Sequence, residues 1–282
     1  MHKYIFVIIF GLVSVAHSEP HSFFDGSYVG VAVGGNLTQA STKIVGAADA
    51  ILYNNNVVSL ATNIPLSERA NLTKNAPIGE LFAGYGQTWR SLYLGGEIFA
   101  NASNYTMSNR INTGFLQNLA ILGDLLLGGS AQINTNVNLS KIQYGANLRP
   151  GILLRPETLL FGRVGFTVAT LQFNVNTYAN SFLSSTSQQV QVVFPATLHL
   201  PASRSLVALQ LGGGIEQQLN PTWSIIVNYI YTDYRNIDSI GSSVTNFNGV
   251  DSLITLQLDG NNHASVITNA ITLGAKYHGD II

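Results

Sequence analysis

Residues 78–101 read IGELFAGYGQTWRSLYLGGEIFAN, and the positions of two acids within them decide the fold. Taken with a period of two, Gly79, Leu81, Ala83 and Tyr85 share one face, and Ile78, Glu80, Phe82, Gly84 and Gly86 share the other. After a short turn at Gln87–Arg90, Leu92, Leu94, Ile98 and Ala100 oppose Tyr93, Gly95, Glu97, Phe99 and Asn101. Each segment is therefore a strand with one apolar face, and its acid lies on the other. That division suits a strand with lipid on one side and an enclosed lumen on the other.

The same alternation recurs along the chain. Val29, Val31, Val33 and Leu37 alternate with Tyr28, Gly30, Ala32, Gly34 and Asn36. In 141–154, Ile142, Tyr144, Leu148 and Ile152 oppose Lys141, Gln143, Asn147 and Arg149; in 159–173, Leu160, Val164 and Phe166 oppose Arg163 and Thr167. Further strands read RSLVALQLGGGIEQQL, WSIIVNYIYTDY and VITNAITLGAKYH, with Arg204, Glu216 and Lys276 again on the polar side. This gives eight strands in which every Arg, Lys and Glu avoids the apolar face.

Composition points the same way. Charged residues are 10% of the 282, against about 25% in typical soluble domains. The first residues, MHKYIFVIIFGLVSVAHSEP, have the basic start, apolar run and small-residue site of a secretory signal, with cleavage expected after Ser18. Residues 19–282 then form one domain. The apolar run is shorter than the roughly 20 residues of a spanning helix, and nothing after it resembles one. An exported, apolar, charge-poor chain without spanning helices can satisfy its backbone in lipid only as a closed barrel. No Cys is present, which excludes disulfides, thiol chemistry and cysteine metal sites. A net charge of −1 with no basic run argues against nucleic acid.

Connections alternate in length: short turns at Gln87–Arg90, Arg155–Thr158 and Asn220–Thr222, and long segments near 41–76, 103–139, 174–203 and 235–264. The expected fold is an all-β, eight-stranded, antiparallel, up-and-down transmembrane barrel with three short periplasmic turns and four long external loops. Trp89 and Trp223 at short turns, with Tyr277 on the last strand, are expected to form a periplasmic aromatic belt.

In the order and spacing of FDGSYVGVAVGGNL, IGELFAGYG, LYLGGEIFAN, LRPGILL, LFGRVGF, ALQLGGGIEQQL, WSIIVNYIYTDY and NAITLGAKYHG, the chain resembles the small outer-membrane barrels of the opacity-protein and OmpA-transmembrane-domain type. The resemblance covers every strand but none of the long loops. It implies residence in a Gram-negative outer membrane, contact with its lipid and lipopolysaccharide, and delivery by periplasmic chaperones to the barrel assembly machinery. It also implies lumenal ion pairs, read in such barrels either as structural or as gates. Those barrels usually end in an aromatic residue, whereas this chain continues past Tyr277 to Ile282.

Eight strands leave an interior that side chains can fill. Counting from the turns, Glu80 faces Glu97 if Thr88 and Trp89 form the turn, and Arg149 faces Arg163 about Pro156. The four are expected to meet at one depth as a salt-bridge cluster. Glu216 and Lys276 fall nearer the periplasm and Lys141 nearer the outer rim. His199 and His263 lie in long loops without a well-spaced acid, so no catalytic residue, metal ligand or cofactor is expected. Function then falls to the loops. Within 114–129, Leu116, Leu119, Leu122 and Leu126 form either a cap on the barrel mouth or a contact patch for a host surface or a second barrel. VQVVFPATLHL and VDSLITLQL are candidates for strand extensions beyond the membrane. The leading expectation is a non-enzymatic envelope protein with adhesin-like surface loops. A narrow ion or solute channel is the alternative, and a lipid A-modifying enzyme the third.

Overall fold

The computed structural model describes residues 22–54, 57–119, 125–185, 191–248 and 252–279. The expected signal sequence and the chain end at Ile281–Ile282 lie outside them. Ten strands are present among the described residues: β1 Gly26–Asn54, β2 Val57–Trp89, β3 Leu92–Ser103, β4 Tyr105–Leu119, β5 Leu125–Leu139, β6 Ile142–Arg155, β7 Thr158–Ser185, β8 Gln191–Gln218, β9 Trp223–Asn248 and β10 Ser252–His278.

Eight of them, β1-β2-β3-β6-β7-β8-β9-β10, close on themselves through antiparallel ladders. The last joins the first from Tyr28 opposite His278 upward. Closure leaves no strand edge in lipid. The outer surface carries the apolar belt read from the sequence, including Val31, Leu81, Ile98, Tyr144, Phe166, Leu211, Val227 and Leu273. Trp89 and Trp223 stand exposed at its lower rim, where the Trp223 ring meets Tyr277 edge-on at 5.3 Å. The barrel is thus all-β and of the outer-membrane type.

The segments expected to be long loops are largely strands, including the extensions expected in VQVVFPATLHL and VDSLITLQL, which lie on β8 and β10 where described. β1 and β2 run 29 and 33 residues, against the 9–11 or so that span a membrane. Beyond the belt β3 and β6 are succeeded, after breaks at Asn104 and at Ser140–Lys141, by β4 and β5, which pair as a hairpin against β7. The second long loop is therefore this hairpin. Leu116, Leu119 and Leu126 lie on its strands, their side chains undescribed, and Leu122 lies outside the described residues.

Two ladders stop at the outer edge of the belt. β8 pairs with β9 only as far as Leu209 opposite Asp233, and β2 pairs with β3 but not with β4. The barrel wall therefore divides into two four-stranded sheets, β2-β1-β10-β9 and β4-β5-β7-β8. At one split a bulge between Ser265 and Ile267 sets one extra residue on β9, and Arg235 there has a φ of 57°. Bulges bend and twist the strand that carries them, so β9 follows β10 away from β8. At the other split Lys74 Nζ donates to the unpaired Thr106 carbonyl at 2.7 Å.

The two sheets face each other over an apolar core of Ile44, Leu72, Met107, Val137, Leu171, Phe173 and Val266, among others. Each long strand consequently inverts its pattern at the belt's edge. On β7, Val164 and Phe166 face out while Arg163 and Thr167 face in. Farther along, Leu171, Phe173 and Val175 face in while Gln172, Asn174 and Asn176 face out. The apolar side follows the solvent: lipid outside below, water outside above.

The β2–β3 turn is Arg90–Ser91, with Trp89 opposite Leu92, so the expected turn at Thr88–Trp89 is two residues early. Arg90 has a φ of 59°, a left-handed conformation that costs non-glycine residues about 1–2 kcal/mol. Arg90→Asn, which tolerates this region, is expected to raise stability by roughly 0.5–1 kcal/mol in a urea titration.

Candidate functional site

The lumenal cluster is built by strands that each turn one charged side chain inward. The shift in the β2–β3 turn sets Glu80 opposite Asn101 and Glu97 opposite Gly84, so the two acids do not face each other as expected but are stepped in height. Leu148 opposite Val164 and Gly151 opposite Phe161 place Arg149 across from Arg163, the register read from Pro156.

Stepping lets acids and bases interleave. Arg163 reaches Glu80 at 2.9 Å and Glu97 at 3.6 Å. Arg149 reaches Glu97 at 3.1 Å and Glu216 at 3.0 Å, and Lys276 reaches Glu216 at 2.9 Å. The result is a chain of alternating sign, Glu80–Arg163–Glu97–Arg149–Glu216–Lys276, in which three carboxylates balance three cations. All six are buried. Glu216 and Lys276 are thus links of the same network and not a separate lower pair. Lys141 is not lumenal: it sits at the bend between β5 and β6, which turns it out to solvent.

Neighbours complete the packing. The Arg149 guanidinium lies 3.9 Å from the Phe161 ring centroid, Lys276 Nζ 3.5 Å from that of Tyr28, and Arg163 4.8 Å from that of Phe99, favourable geometry for cations among aromatic faces. With its amide oxygen turned to the guanidinium, as the network requires, Asn147 accepts from Arg163 Nη2 at 2.8 Å and Nε at 2.6 Å and donates to Gln210. Glycine makes this crowding possible. A Cβ at Gly84 would lie 2.5 Å from the Tyr28 hydroxyl, and one at Gly214 2.7 Å from the Phe161 ring. That explains the inward glycines of the GGG run at 212–214.

The lumen is closed at three levels. At the periplasmic end Phe24 is fully buried, and His278 packs against Phe23 with centroids 4.3 Å apart. The Thr88 amide donates to Asp25 Oδ1 at 2.6 Å, pinning this N-terminal segment under the barrel. The ion network fills the middle. Above it Tyr234 donates to Gln143 at 2.6 Å beneath the apolar core.

Two histidine contacts are not legible in the sequence. Ser224 Oγ donates to Glu216 at 2.8 Å and lies 3.2 Å from His278 Nε2, which is 2.8 Å from the same carboxylate. This is not a nucleophile–base–acid relay, because serine and acid share one ring nitrogen while Nδ1 has no partner. On the outer surface His263 meets Asp238, its cross-strand neighbour on β9. Strand pairing, and not sequence spacing, supplies that acid. Among the described residues no group of His, Asp or Glu could hold a metal ion.

Closed pairing of eight strands, a lipid-facing belt and a charge-balanced, filled lumen define the class: a small eight-stranded outer-membrane β-barrel. Among solved structures, the chain is similar to Ail, the attachment invasion locus protein of Yersinia pestis, solved in complex with the heparin analogue sucrose octasulfate. Identity is 14%, coverage 80% of this chain and 98% of that one, and the TM-score 0.27. It is also similar to Neisserial surface protein A (10%, covering 86% and 98%, TM-score 0.21) and to the P. putida toluene transporter TodX (12%, covering 87% and 91%, TM-score 0.21). No family model and no curated protein matches the sequence.

Proposed function

We propose that this chain is a non-enzymatic surface protein of a Gram-negative outer membrane, whose external two-sheet extension contacts an opposing surface such as a host cell. One observation carries the reading. The chain fills its lumen yet continues its strands far beyond the membrane around a second apolar core. Strands of 26–29 residues on β1, β7, β8, β9 and β10 are two to three times longer than a span requires. Packing a core outside the membrane makes a rigid platform, and recognition residues are best held on such a scaffold.

The test has two arms. In planar bilayers the purified barrel is expected to give no unitary conductance; steady single-channel currents would favour the narrow-channel alternative. On cells, replacing residues 46–66 by a short turn, which cuts back the β1–β2 hairpin at the Gly46–Leu66 pair, is expected to abolish surface binding while leaving the barrel folded. Undiminished binding by that variant would overturn the proposal.

A further inference from the structure

The outer wall of the β4-β5-β7-β8 sheet carries carboxamide side chains paired across a ladder. Three cross-strand pairs stand in register: Asn138 with Gln172, Asn136 with Asn174, and Asn134 with Asn176. All six point away from the apolar core, forming two columns of carboxamides. Neighbours within a column are about 6.6 Å apart, and the columns about 5 Å apart. One row above, Tyr178 lies half exposed on the same face. Arg110 and His199 flank the Asn134–Asn176 row from β4 and β8. The outer face of the opposite sheet has carboxamides too, Asn71, Asn75 and Asn269, but no two of them are paired across a ladder, and Lys43 stands there between Arg69 and His263.

The amides spend little of their capacity on each other. Gln132 donates to Asn134 at 3.1 Å, and Asn176 pairs with His199. Among the described residues Gln172, Asn136 and Asn174 have no side-chain hydrogen bond, and Asn138 Oδ1 is shielded from water without a donor. Each carboxamide offers two donors and an acceptor, the complement of neighbouring hydroxyl groups on a sugar ring. An exposed aromatic beside them supplies an apolar face for the ring's C–H side. These rows hold no acid for a metal and no aliphatic patch for a protein.

We infer that this wall is a glycan-binding face, and that its ligand is the oligosaccharide headgroup of glycolipid in the surrounding outer leaflet. The source follows from position. The wall faces sideways, and β7, one of its strands, presents lipid-facing Val164 and Phe166 directly beneath it. The face rises to about 25 Å above the belt at the ordinary rise of a tilted strand. A ligand whose acyl chains lie in that leaflet holds its sugars at this height. Tethering then replaces a bimolecular encounter with a local concentration of roughly millimolar order. The inference rests on the barrel's orientation in the membrane and not on contact with another cell.

The experiment titrates the detergent-folded barrel with core oligosaccharide released by mild acid from rough-type lipopolysaccharide. Saturable binding is expected, weakened at least tenfold by Asn136→Ala/Asn174→Ala and by Tyr178→Ala. These are surface changes whose folding is verified by heat-modifiable gel migration. In bilayers, complete-core lipopolysaccharide is expected to slow amide exchange in β5 and the outer half of β7, whereas lipid A alone is not. Absence of saturable binding, or binding indifferent to these substitutions, overturns the glycan face. Equal binding of heparin and core oligosaccharide overturns the assignment to the barrel's own leaflet. Loss of cell binding on hairpin truncation is measured separately and is unaffected by either result.

Discussion

Arg149→Ala is expected to lower the unfolding free energy by about 3–5 kcal/mol, the cost of breaking a buried ion pair from one side. Arg149 is a middle link of the lumenal chain, joining Glu97 to Glu216 and lying over the Phe161 ring. Its removal leaves three buried carboxylates against two buried cations. Glu216 keeps Lys276, Ser224 and His278, but Glu97 is left with Arg163 at 3.6 Å and the Tyr28 hydroxyl at 3.4 Å. The damage should therefore centre on Glu97, and Arg149→Met combined with Glu97→Gln should recover part of the loss, since it removes both charges and keeps the volume. Urea titrations followed by the fluorescence of Trp89 and Trp223 would read this. A loss under 1 kcal/mol would show that the network is not a structural plug. Conductance gives an independent check: the variant should still pass no current, because the apolar core above the network remains closed.

Much of the membrane half is legible in the sequence alone. Lipid forces every outward side chain to be apolar, so a period of two sorts Glu80, Glu97, Arg149, Arg163, Glu216 and Lys276 inward without knowledge of the pairing. Their partners are less accessible. Register depends on which two residues make the β2–β3 turn, and Arg90 in a left-handed conformation is a poor advertisement for one, where glycine or asparagine would have marked it. A shift of two residues at that turn separates Glu80 from Glu97 by four along the ladder. It thereby converts an expected facing pair into a staircase, and Glu216 and Lys276 then fall into line with it.

The external half is harder because the solvent changes within a single strand. On β7 the apolar parity passes from Val164 and Phe166 to Leu171, Phe173 and Val175, and in sequence that slip looks like the end of a strand. Asparagine on the outward face of β5 adds to the impression, being a residue more typical of turns. Lys141 departs from expectation for a related reason: the lumenal parity of Gln143, Asn147 and Arg149, carried on to Lys141, fails where the chain bends. His263 and Asp238 lie 25 residues apart and meet only because β9 and β10 pair there.

That change of solvent divides the molecule energetically as well as in pattern. Phe173→Ala should cost about 3–5 kcal/mol, the usual range for a buried phenylalanine, and the loss should be confined to the external half. Phe173 is fully buried among Leu171, Val175, Val137 and Leu139, and the two open seams mean that no ladder there encircles this core. The membrane half has its own closure: eight paired strands, lipid outside and the ion network within. Hydrogen exchange is the suitable measurement, because it resolves opening of parts from global unfolding. Amides of β4, β5, outer β7 and outer β8 are expected to lose protection together, while Tyr93–Asn101 and Val29–Asn36 remain as in the parent protein. If exchange instead accelerated uniformly, barrel and extension would be one cooperative unit, and the seams at β2/β4 and β8/β9 would not be mechanical boundaries. Localised loss would identify the extension as a separately stable platform, held outside the membrane by its own core and free to open without disturbing the barrel beneath.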